Sequence, residues 1–220
     1  MTFEPNLGIL PAPQLALWPE LAATPESFTL YGGTALALRL GHRHSVDFDF
    51  FSPVLFDPDR LADQIPYLRV AERIQMSPNT LTCRVERGGP VLLSFFGGLD
   101  LGQVAAADET INTRLRIASL LDLAGTKAAV IQKRAEAKDY LDIHALLRHG
   151  VELSTVLAAG SVIYGRKFNP LITLKALSFF DDVPTLPKDV RAQLLHAVQS
   201  IDVTRLPVLT PYAKRSGDNG

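Results

Sequence analysis

Two aspartates, Asp47 and Asp49, stand two positions apart in a segment, Val46 to Phe51, in which apolar and acidic residues alternate. Because successive side chains of a β-strand point to opposite faces, this alternation predicts a strand that carries both carboxylates on one face. Neighbouring carboxylate oxygens are the ligands that Mg²⁺ uses in proteins. The pair therefore indicates a magnesium site, with the polar face of a solvent-exposed strand as the alternative interpretation.

Two adjacent glycines, Gly32 and Gly33, lie between a short apolar run, Phe28 to Tyr31, and a helix-forming segment, Thr34 to Leu40. This order predicts a strand, a glycine turn and a helix, which Gly41 would cap at its C-terminus. A helix N-terminus without side chains in the way binds phosphate through its free N–H groups. The glycines are thus a candidate triphosphate site beside the two aspartates, or else a plain tight turn.

The polar run His42 to Ser45 connects this helix with the acidic strand. Arg43 either contacts phosphate or pins the loop by pairing with Asp47. Ser45 is expected to hydrogen-bond to the backbone where the strand begins. Both histidines are interpreted as polar loop groups rather than as metal ligands.

Charged residues also fall on the apolar faces of two predicted helices, at about Leu120 to Arg134 and Ala137 to Arg148. At 100° per residue, Lys127 and Arg134 lie near the centre of the first apolar arc, and Asp139 lies within the second. Burying an unpaired charge is costly, so these groups must meet each other, a metal or a charged ligand.

The simplest partners for Arg134 are Asp139 and Asp142, either of which would form a structural ion pair with it. Lys127 is expected a helical turn or more from that pair. This separation favours a functional role for Lys127.

The remaining patterns divide the chain into a sheet-rich part and a helical part. Alternation predicts strands before about residue 112, and the helical period prevails after it. The other predicted elements are a short helical segment at Leu15 to Ala23, a helix at Asp57 to Ile65, strands at Tyr67 to Arg73, Thr80 to Glu86 and Val91 to Phe96, a hairpin turn at Gly88-Gly89, and helices at Val151 to Ala159, Pro170 to Phe180 and Pro187 to Ile201, before a frayed tail of five residues. The predicted fold is α/β (α+β), with a mixed sheet lobe and N-terminal arm at residues 1–110 and a C-terminal helical lobe at 111–220.

Composition excludes several classes of protein. The chain has 220 residues, of which 47% are apolar and 20% charged, as in folded rather than disordered proteins. A single cysteine, Cys83, excludes an intramolecular disulfide and a multi-cysteine zinc site. Because no basic, apolar leader and no long apolar run is found, we expect a soluble, cytoplasmic protein with no membrane segment.

The formal net charge of −1 conceals an asymmetry along the chain. Residues 1–110 carry 7 basic and 13 acidic side chains, whereas residues 111–175 carry 10 basic and 5 acidic ones. An acidic part and a basic part together would suit a metal-bound polyanion.

Three ordered blocks of residues resemble a known family. They are Tyr31-Gly-Gly-Thr-Ala-Leu36, His42-Arg-His-Ser-Val-Asp-Phe-Asp-Phe-Phe51, and Asp122 through Lys127 and Arg134 to Lys138-Asp-Tyr-Leu-Asp-Ile143. As a set they are similar to the AbiEii-type nucleotidyltransferases, toxins of abortive-infection and toxin–antitoxin systems. This family is a minimal branch of the DNA polymerase β nucleotidyltransferase superfamily, and the resemblance covers roughly residues 28–150.

The resemblance implies an enzyme that binds a nucleoside triphosphate with Mg²⁺, transfers the nucleotidyl group to an acceptor and releases pyrophosphate. The acceptor would be RNA, such as tRNA, or a protein, and an antitoxin encoded nearby would neutralise the toxin. Carried over by position, the resemblance assigns Asp47, Asp49, Lys127 and Asp139 to catalysis, the first two of them to the metal, and Gly32, Gly33, Thr34, Arg43, Ser45 and Arg134 to the nucleotide.

One position departs from the superfamily pattern, in which a later strand often carries a third carboxylate. The matching strand here reads Leu92-Leu-Ser-Phe-Phe96, with Ser94 where an acid is expected. That acid can deprotonate the attacking hydroxyl, so Ser94 implies a different base, a single tightly held metal or lost catalysis. Asp139, or more remotely Asp100, would be the substitute. The alternative functions are a catalytically silent nucleotide-binding or protein-interaction module and a phosphohydrolase.

Overall fold

The computed structural model describes residues 1–213, so the expected fraying of the last five residues lies outside the described part. The described chain divides into two compact units. Unit 1 comprises Met1–Asp100 and Ala107–Ala118, and unit 2 comprises Leu101–Ala106 with the described residues from Ser119 onward. The predicted domain boundary after residue 110 concerns independent folding and stays a prediction.

Unit 1 contains the sheet predicted for the first part of the chain. Its elements are β1 (Thr2–Phe3), α1 (Ala12–Leu17), β2 (Thr29–Tyr31), α2 (Gly32–Leu40), β3 (Phe48–Phe51), α3 (Pro58–Gln64), β4 (Glu72–Ser77), β5 (Thr80–Glu86), β6 (Pro90–Phe96), β7 (Asp108–Thr110) and β8 (Arg116–Ile117), with 3₁₀ turns at Leu7–Ile9, Trp18–Ala23 and Pro66–Leu68. The predicted helix from Thr34 thus begins two residues earlier, at the first glycine.

The strands form one mixed sheet in the order β1-β7-β8-β2-β3-β6-β5-β4. β3 lies in its interior, antiparallel to β2 and parallel to β6. β4, β5 and β6 form an antiparallel meander, and the Gly88-Gly89 hairpin between the last two is confirmed, since both glycines have positive φ. The mixed α/β class predicted from the sequence is therefore confirmed.

Aromatic packing anchors β3 in the sheet. Phe48 and Phe50 are fully buried, and the ring of Phe50 stacks on that of Phe95 in β6 at a centroid distance of 4.9 Å. Phe28 meets the edge of the same Phe95 ring at 5.3 Å. Because one face of β3 is locked into the core, its other face is available to position polar side chains.

The strand predicted at Tyr67 to Arg73 is wrong. Pro66 opens a 3₁₀ turn over Pro66–Leu68, and β4 begins only at Glu72. Tyr67 and Leu68 are both buried, whereas a strand would send two consecutive side chains to opposite faces. The adjacent apolar residues Tyr67 and Leu68 therefore belong to a buried turn and not to a strand.

Unit 2 is helical. Its elements are α4 (Leu120–Val130), α5 (Ala137–Arg148), α6 (Leu153–Tyr164), α7 (Pro170–Leu177) and α8 (Lys188–Gln199), with 3₁₀ turns at Gly165–Lys167 and Val203–Arg205. α4 and α6 approach closely at Gly125, where a Cβ would lie 2.7 Å from the backbone carbon of Ala159 and the backbone nitrogen of Gly160. This close approach explains why small residues occur on both helices.

Several helix boundaries in unit 2 differ from the prediction; α7 ends at Leu177 rather than at Phe180, and α8 ends at Gln199 rather than at Ile201. α4 ends at Val130 rather than at Arg134, because Gln132 and Lys133 donate backbone hydrogen bonds three residues back and tighten the chain into a turn. α6 begins and ends later than the predicted Val151 to Ala159. Arg134 therefore lies outside α4, and its predicted place on that helix is wrong.

In residues 1–213 no single helix has the length and apolar composition to cross a membrane, and only α5 and the segment Leu153–Lys167 taken together, with a bend of 117° between them, meet that test.

Candidate functional site

The two aspartates flank the start of β3. Asp47 immediately precedes the strand and is exposed, whereas Asp49 is its second residue and is partly buried. The buried positions Phe48 and Phe50 alternate with Asp49 as predicted. The predicted strand was too long at its N-terminal end, since Val46 lies outside β3 and is exposed.

Asp49 lies against the glycine turn. A Cβ placed on Gly32 would be 2.7 Å from Oδ2 of Asp49, and Gly32 has a φ of +76°. Two reasons therefore require glycine at position 32. A residue with a side chain would be strained at this φ, and its Cβ would displace the carboxylate of Asp49. The structure thus brings together the glycine turn and one of the two predicted metal ligands.

The same turn begins α2 without a side-chain cap. Tyr31 occupies the N-cap position and makes no capping hydrogen bond through its side chain. At the other end, Gly41 adopts the predicted left-handed conformation with a φ of +65° and closes the helix. A glycine-lined helix N-terminus carries a partial positive charge and N–H groups suited to an anion.

Thr34 connects this helix start with the residues before β3. Its hydroxyl is buried and lies 2.5 Å from the carbonyl oxygen of Asp47 and 2.7 Å from Oγ of Ser45. The Thr34 hydroxyl is the donor in both contacts, so its single proton is shared between two acceptors, of which the carbonyl of Asp47 is the nearer. The contact of the Ser45 hydroxyl is thus with a side chain, and the main-chain N–H of Ser45 lies 3.4 Å from the carbonyl of Ile9.

Arg43 lies over the second glycine. A Cβ on Gly33 would collide with Nη2 of Arg43 and would lie 3.5 Å from Oγ of Ser45. Nη1 of Arg43 donates to the carbonyl of His44 at 3.0 Å. A guanidinium beside a helix N-terminus adds to its positive potential, so the two together attract an anion more strongly than either alone.

Side chains of β6 and β5 continue the row of Asp49 across the sheet. Ser94 of β6 is the register partner of Asp49, and Thr82 of β5 is the register partner of Ser94. Cross-strand partners project from the same face, and the hydroxyls of Thr82 and Ser94 lie 3.3 Å apart. Ser94 thus lies beside Asp49 on the sheet, its place as that of a third acid stays a prediction, and Thr82 is a neighbour that sequence reasoning missed.

The other predicted catalytic residues lie in unit 2, where Lys127 is held by two carboxylates. Its Nζ is 2.9 Å from Oδ1 of Asp139 and 2.6 Å from Oδ2 of Asp142. All three residues are buried. Lys127 was expected to lie apart from the ion pair and instead belongs to it, so the prediction of its surroundings is wrong, while its role at a triphosphate stays a prediction.

Arg134 completes this buried cluster from the turn after α4. Its Nε donates to Oδ2 of Asp139 at 2.9 Å, which confirms the predicted ion pair. Its Nη1 also lies 3.1 Å from Oε1 of Glu136. Asp142 was predicted only as an alternative partner of Arg134, and its spacing of three positions from Asp139 was the signal that both carboxylates share one cation.

Metal-binding groups are sparse in the described residues. From residue 1 to 213, no three His, Cys, Asp or Glu side chains come together as a set that could hold a metal ion. A cation at Asp47 and Asp49 would therefore need further ligands from substrate or water.

Replacing Thr34 by valine is expected to lower the free energy of unfolding by about 1–3 kcal/mol, because the carbonyl of Asp47 loses the donor supplied by the buried Thr34 hydroxyl while the side-chain shape is kept. Urea unfolding measures the change. Thr34→Ser keeps the hydroxyl and is the matched control, expected to retain more stability than the valine variant. Equal stability of the two variants would show that the hydrogen bond contributes nothing.

The sequence of this chain matches the model of a known protein family. The model of the nucleotidyl transferase AbiEii toxin family, type IV toxin–antitoxin system, matches residues 17–207. An uncharacterized protein of Aquifex aeolicus (strain VF5) is 32% identical to this chain, over 71% of this chain and 75% of the relative.

Two solved structures have the same fold. The Mycobacterium tuberculosis H37Rv protein MenT4, described as a nucleotidyltransferase toxin, aligns with a TM-score of 0.58 and 14% identity over 85% of this chain and 83% of its own. A candidate nucleotidyltransferase from H. pylori aligns with a TM-score of 0.52 and 19% identity over 84% and 89%. The fold, the glycine turn beside Asp49 and the family match agree, and the chain belongs to the AbiEii nucleotidyltransferase toxin family of type IV toxin–antitoxin systems.

Proposed function

We propose that this chain transfers a nucleoside monophosphate from a nucleoside triphosphate to a hydroxyl group of an RNA acceptor, such as tRNA, in a Mg²⁺-dependent reaction. The acceptor oxygen forms a new bond to the α-phosphorus, the bond from that phosphorus to the bridging oxygen breaks, and pyrophosphate leaves. The hydroxyl proton passes to water or a nearby base. An antitoxin encoded nearby is the proposed counterpart of the toxin in the cell.

The phosphates are proposed to bind at the start of α2. Gly32 and Gly33 place no side chains at the first turn of the helix, and the guanidinium of Arg43 lies over Gly33. These groups would stabilise the negative charge of the triphosphate and of the departing pyrophosphate. Thr34 and Ser45 support this position by tying α2 to the segment before β3.

Asp47 and Asp49 fit a magnesium ion that is shared with the substrate. Mg²⁺ is commonly bound by one or two carboxylates together with phosphate oxygens and water, and this chain supplies Asp49 within β3 and Asp47 immediately before it. When bound, the ion would polarise a phosphoryl oxygen and so stabilise the charge that develops during transfer. A second metal ion at this place would need a further carboxylate. Ser94, the register partner of Asp49, carries a neutral hydroxyl instead.

In unit 2, Lys127 is the proposed cation for the triphosphate and Asp139 its positioning residue, with Arg134 as a further candidate for the nucleotide. The contacts of the Lys127 ammonium with Asp139 and Asp142 support a fixed position for this charge. A charge that is already held in place costs no reorganisation during the reaction.

One observation carries the proposal. The carboxylate of Asp49 lies directly against Gly32, in the first turn of a nine-residue helix. A metal ligand beside an anion-binding helix end is what metal-assisted phosphoryl chemistry requires.

The test is incorporation of α-labelled nucleotide. Purified protein is incubated with total RNA, Mg²⁺ and each of the four labelled triphosphates in turn, and RNA and protein are separated before counting. We expect label in RNA with Mg²⁺, loss of that label with EDTA, and its return when excess Mg²⁺ is added back.

Three other outcomes would contradict this function. Label in protein alone would mean a protein acceptor. Tight triphosphate binding without any label would identify a catalytically silent module. Release of free phosphate or monophosphate without labelling of an acceptor would identify a phosphohydrolase.

A further inference from the structure

We propose that Gln14 is a positioning residue for Asp47, one of the two proposed magnesium ligands. It acts through the backbone of Val46, whose carbonyl its side-chain amide holds in place. The inference rests on the proposed function, since it concerns how the metal ligand of that function is fixed. Gln14 precedes the segment that the family model matches, which begins at residue 17, so the family match does not include it.

The loop from His42 to Asp47 has no helix or strand of its own. It nevertheless carries Arg43 and Asp47, which the proposed function assigns to the nucleotide and to the metal. A side chain on such a loop keeps a fixed position only if contacts from other segments hold the backbone. Those contacts come from Thr34, as described above, and from the segment Asn6 to Trp18, which we call the N-terminal clamp.

The N-terminal clamp contacts three consecutive residues of the loop. The carbonyl oxygen of Ile9 accepts a hydrogen bond from Nδ1 of His44 at 3.0 Å, and the backbone N–H of Ser45 lies 3.4 Å from the same oxygen. Nε2 of Gln14 donates to the carbonyl oxygen of Val46 at 3.1 Å. This carbonyl belongs to the planar peptide unit that also contains Cα of the next residue. The amide of Gln14 therefore fixes the plane from which the side chain of residue 47 departs.

The residue that follows Asp47 is held by the same clamp. Trp18 lies four positions after Gln14, so the two side chains share one face of this helical segment. The ring centroid of Trp18 lies 6.5 Å from that of Phe48. Together with the hydrogen bond from Thr34 to the carbonyl of Asp47, these contacts hold the backbone on both sides of the metal ligand.

The N-terminal clamp is itself attached to regular elements of unit 1. The backbone N–H of Asn6 donates to the carbonyl of Leu38 in α2 at 2.8 Å. At the turn between β5 and β6, a Cβ on Gly89 would lie 2.6 Å from Cγ of Pro13. Because the clamp is fixed to a helix and to a hairpin, it can in turn hold a loop that has no regular structure.

The presence of glutamine at position 14 is not explained by stability. Its side chain is 4% exposed, and its Oε1 has no hydrogen-bond partner among residues 1–213. A buried amide that makes one hydrogen bond and leaves its oxygen unpaired costs about as much free energy as it gains. An apolar side chain of the same length would serve the core at least as well. What glutamine adds is the hydrogen bond to the peptide unit that precedes Asp47.

The test compares wild type with Gln14→Met, which keeps a long, unbranched side chain and removes the hydrogen-bond donor. Mn²⁺ is the probe, because it suits the same oxygen ligands as Mg²⁺ and its free concentration is measured by electron paramagnetic resonance. The titration uses the metal alone, without triphosphate or RNA. Urea unfolding measures stability, and hydrogen exchange followed by mass spectrometry measures opening of the loop from His42 to Asp47.

We expect Gln14→Met to raise the dissociation constant for Mn²⁺ about tenfold, at the lower end of the effect of groups that orient metal ligands. Hydrogen exchange in the loop should become faster, because the loop loses one of its attachments. The urea midpoint should stay at the wild-type value or rise, since an unpaired buried oxygen is removed. A purely structural residue would give the opposite result, with a lower midpoint and unchanged Mn²⁺ affinity.

Two control variants isolate this effect. Gln64→Met makes the same chemical change at an exposed position of unit 1 and should leave all three measurements as in wild type. Tyr67→Phe removes the buried hydroxyl that lies 2.7 Å from Oγ1 of Thr24. It should lower the urea midpoint and keep the Mn²⁺ affinity, because it does not contact the loop.

Three results would overturn the inference. The first is wild-type Mn²⁺ affinity in Gln14→Met. The second is unchanged hydrogen exchange of the loop in that variant, which would mean that the amide does not hold it. The third is an equal loss of Mn²⁺ affinity in Tyr67→Phe, which would mean that lower stability alone weakens metal binding.

Failure of this inference is distinguishable from failure of the proposed function. A Gln14→Met variant that binds Mn²⁺ and transfers nucleotide like wild type contradicts the inference alone. A wild-type protein that loses Mn²⁺ binding on Asp47→Asn and on Gln14→Met but labels no RNA contradicts the proposed function alone. A wild-type protein that binds no Mn²⁺ contradicts both, because Asp47 is then not a metal ligand.

Discussion

Replacing Asp49 by asparagine is expected to reduce nucleotidyl transfer by about 10³-fold, equal to about 4 kcal/mol of lost transition-state stabilisation. The substitution keeps the size and shape of the side chain and removes one negative charge. It therefore leaves the close packing against Gly32 in place while it removes a ligand for the proposed Mg²⁺. The measurement is the initial rate of label incorporation into RNA at saturating triphosphate.

The controls separate a catalytic effect from a structural one. Asp63→Asn makes the same chemical change at an exposed position of unit 1 and is expected to leave the rate unchanged. Circular dichroism should give the same unfolding transition for Asp49→Asn as for wild type. A rate for Asp49→Asn within about tenfold of wild type would remove Asp49 from the reaction, since metal ligands contribute several kcal/mol.

Replacing Lys127 by alanine is expected to lower the free energy of unfolding by about 3–5 kcal/mol, because the buried carboxylates of Asp139 and Asp142 lose their shared cation. For a chain of this length, a loss of that size corresponds to a decrease in Tm of roughly 10 °C. Thermal unfolding followed by circular dichroism measures the change. Arg134 remains near Asp139 but is half-exposed, so it cannot fully compensate.

Two further variants test the origin of this effect. Lys133→Ala removes an exposed lysine close by and is expected to change stability by less than about 0.5 kcal/mol. Lys127→Met/Asp142→Leu removes both members of one ion pair and is expected to be more stable than the sum of the two single changes predicts. An alanine variant at 127 with wild-type stability would contradict the buried cluster.

The catalytic proposal for Lys127 requires a separate variant. Lys127→Arg keeps a positive charge and can still pair with Asp139, so the fold should persist. An arginine variant that folds normally but transfers nucleotide slowly would support a role at the triphosphate, because the charge of arginine lies in a wider and planar group.

The local features of the site could be predicted from the sequence because they depend on nearby residues. Alternation around Phe48 to Phe50 gave the face of β3 on which Asp49 lies, and the left-handed cap at Gly41 follows from the absence of a Cβ. The helix start at the two glycines was identified to within two residues. Each of these inferences needs only steric and periodic properties of a few consecutive positions.

Errors arose where the pattern was compatible with more than one local structure. Tyr67 and Leu68 are apolar and consecutive, which suits a buried strand as well as a buried turn, and Pro66 decides for the turn. The helical period continued formally to Arg134, yet the backbone tightened after Val130. Periodicity alone does not report where a helix stops when no glycine or proline marks its end.

By itself, the sequence determined the mixed α/β class, the acidic strand, the glycine-lined helix start and the resemblance to a nucleotidyltransferase family. Only the tertiary structure decided that Asp49 lies against Gly32, that Ser94 and Thr82 continue its row, and that Lys127 shares two carboxylates. Periodicity fixes the face on which a side chain lies. Which residue the side chain contacts depends on the packing of segments that are distant in the sequence, because hydrogen-bond register and desolvation are properties of the assembled fold.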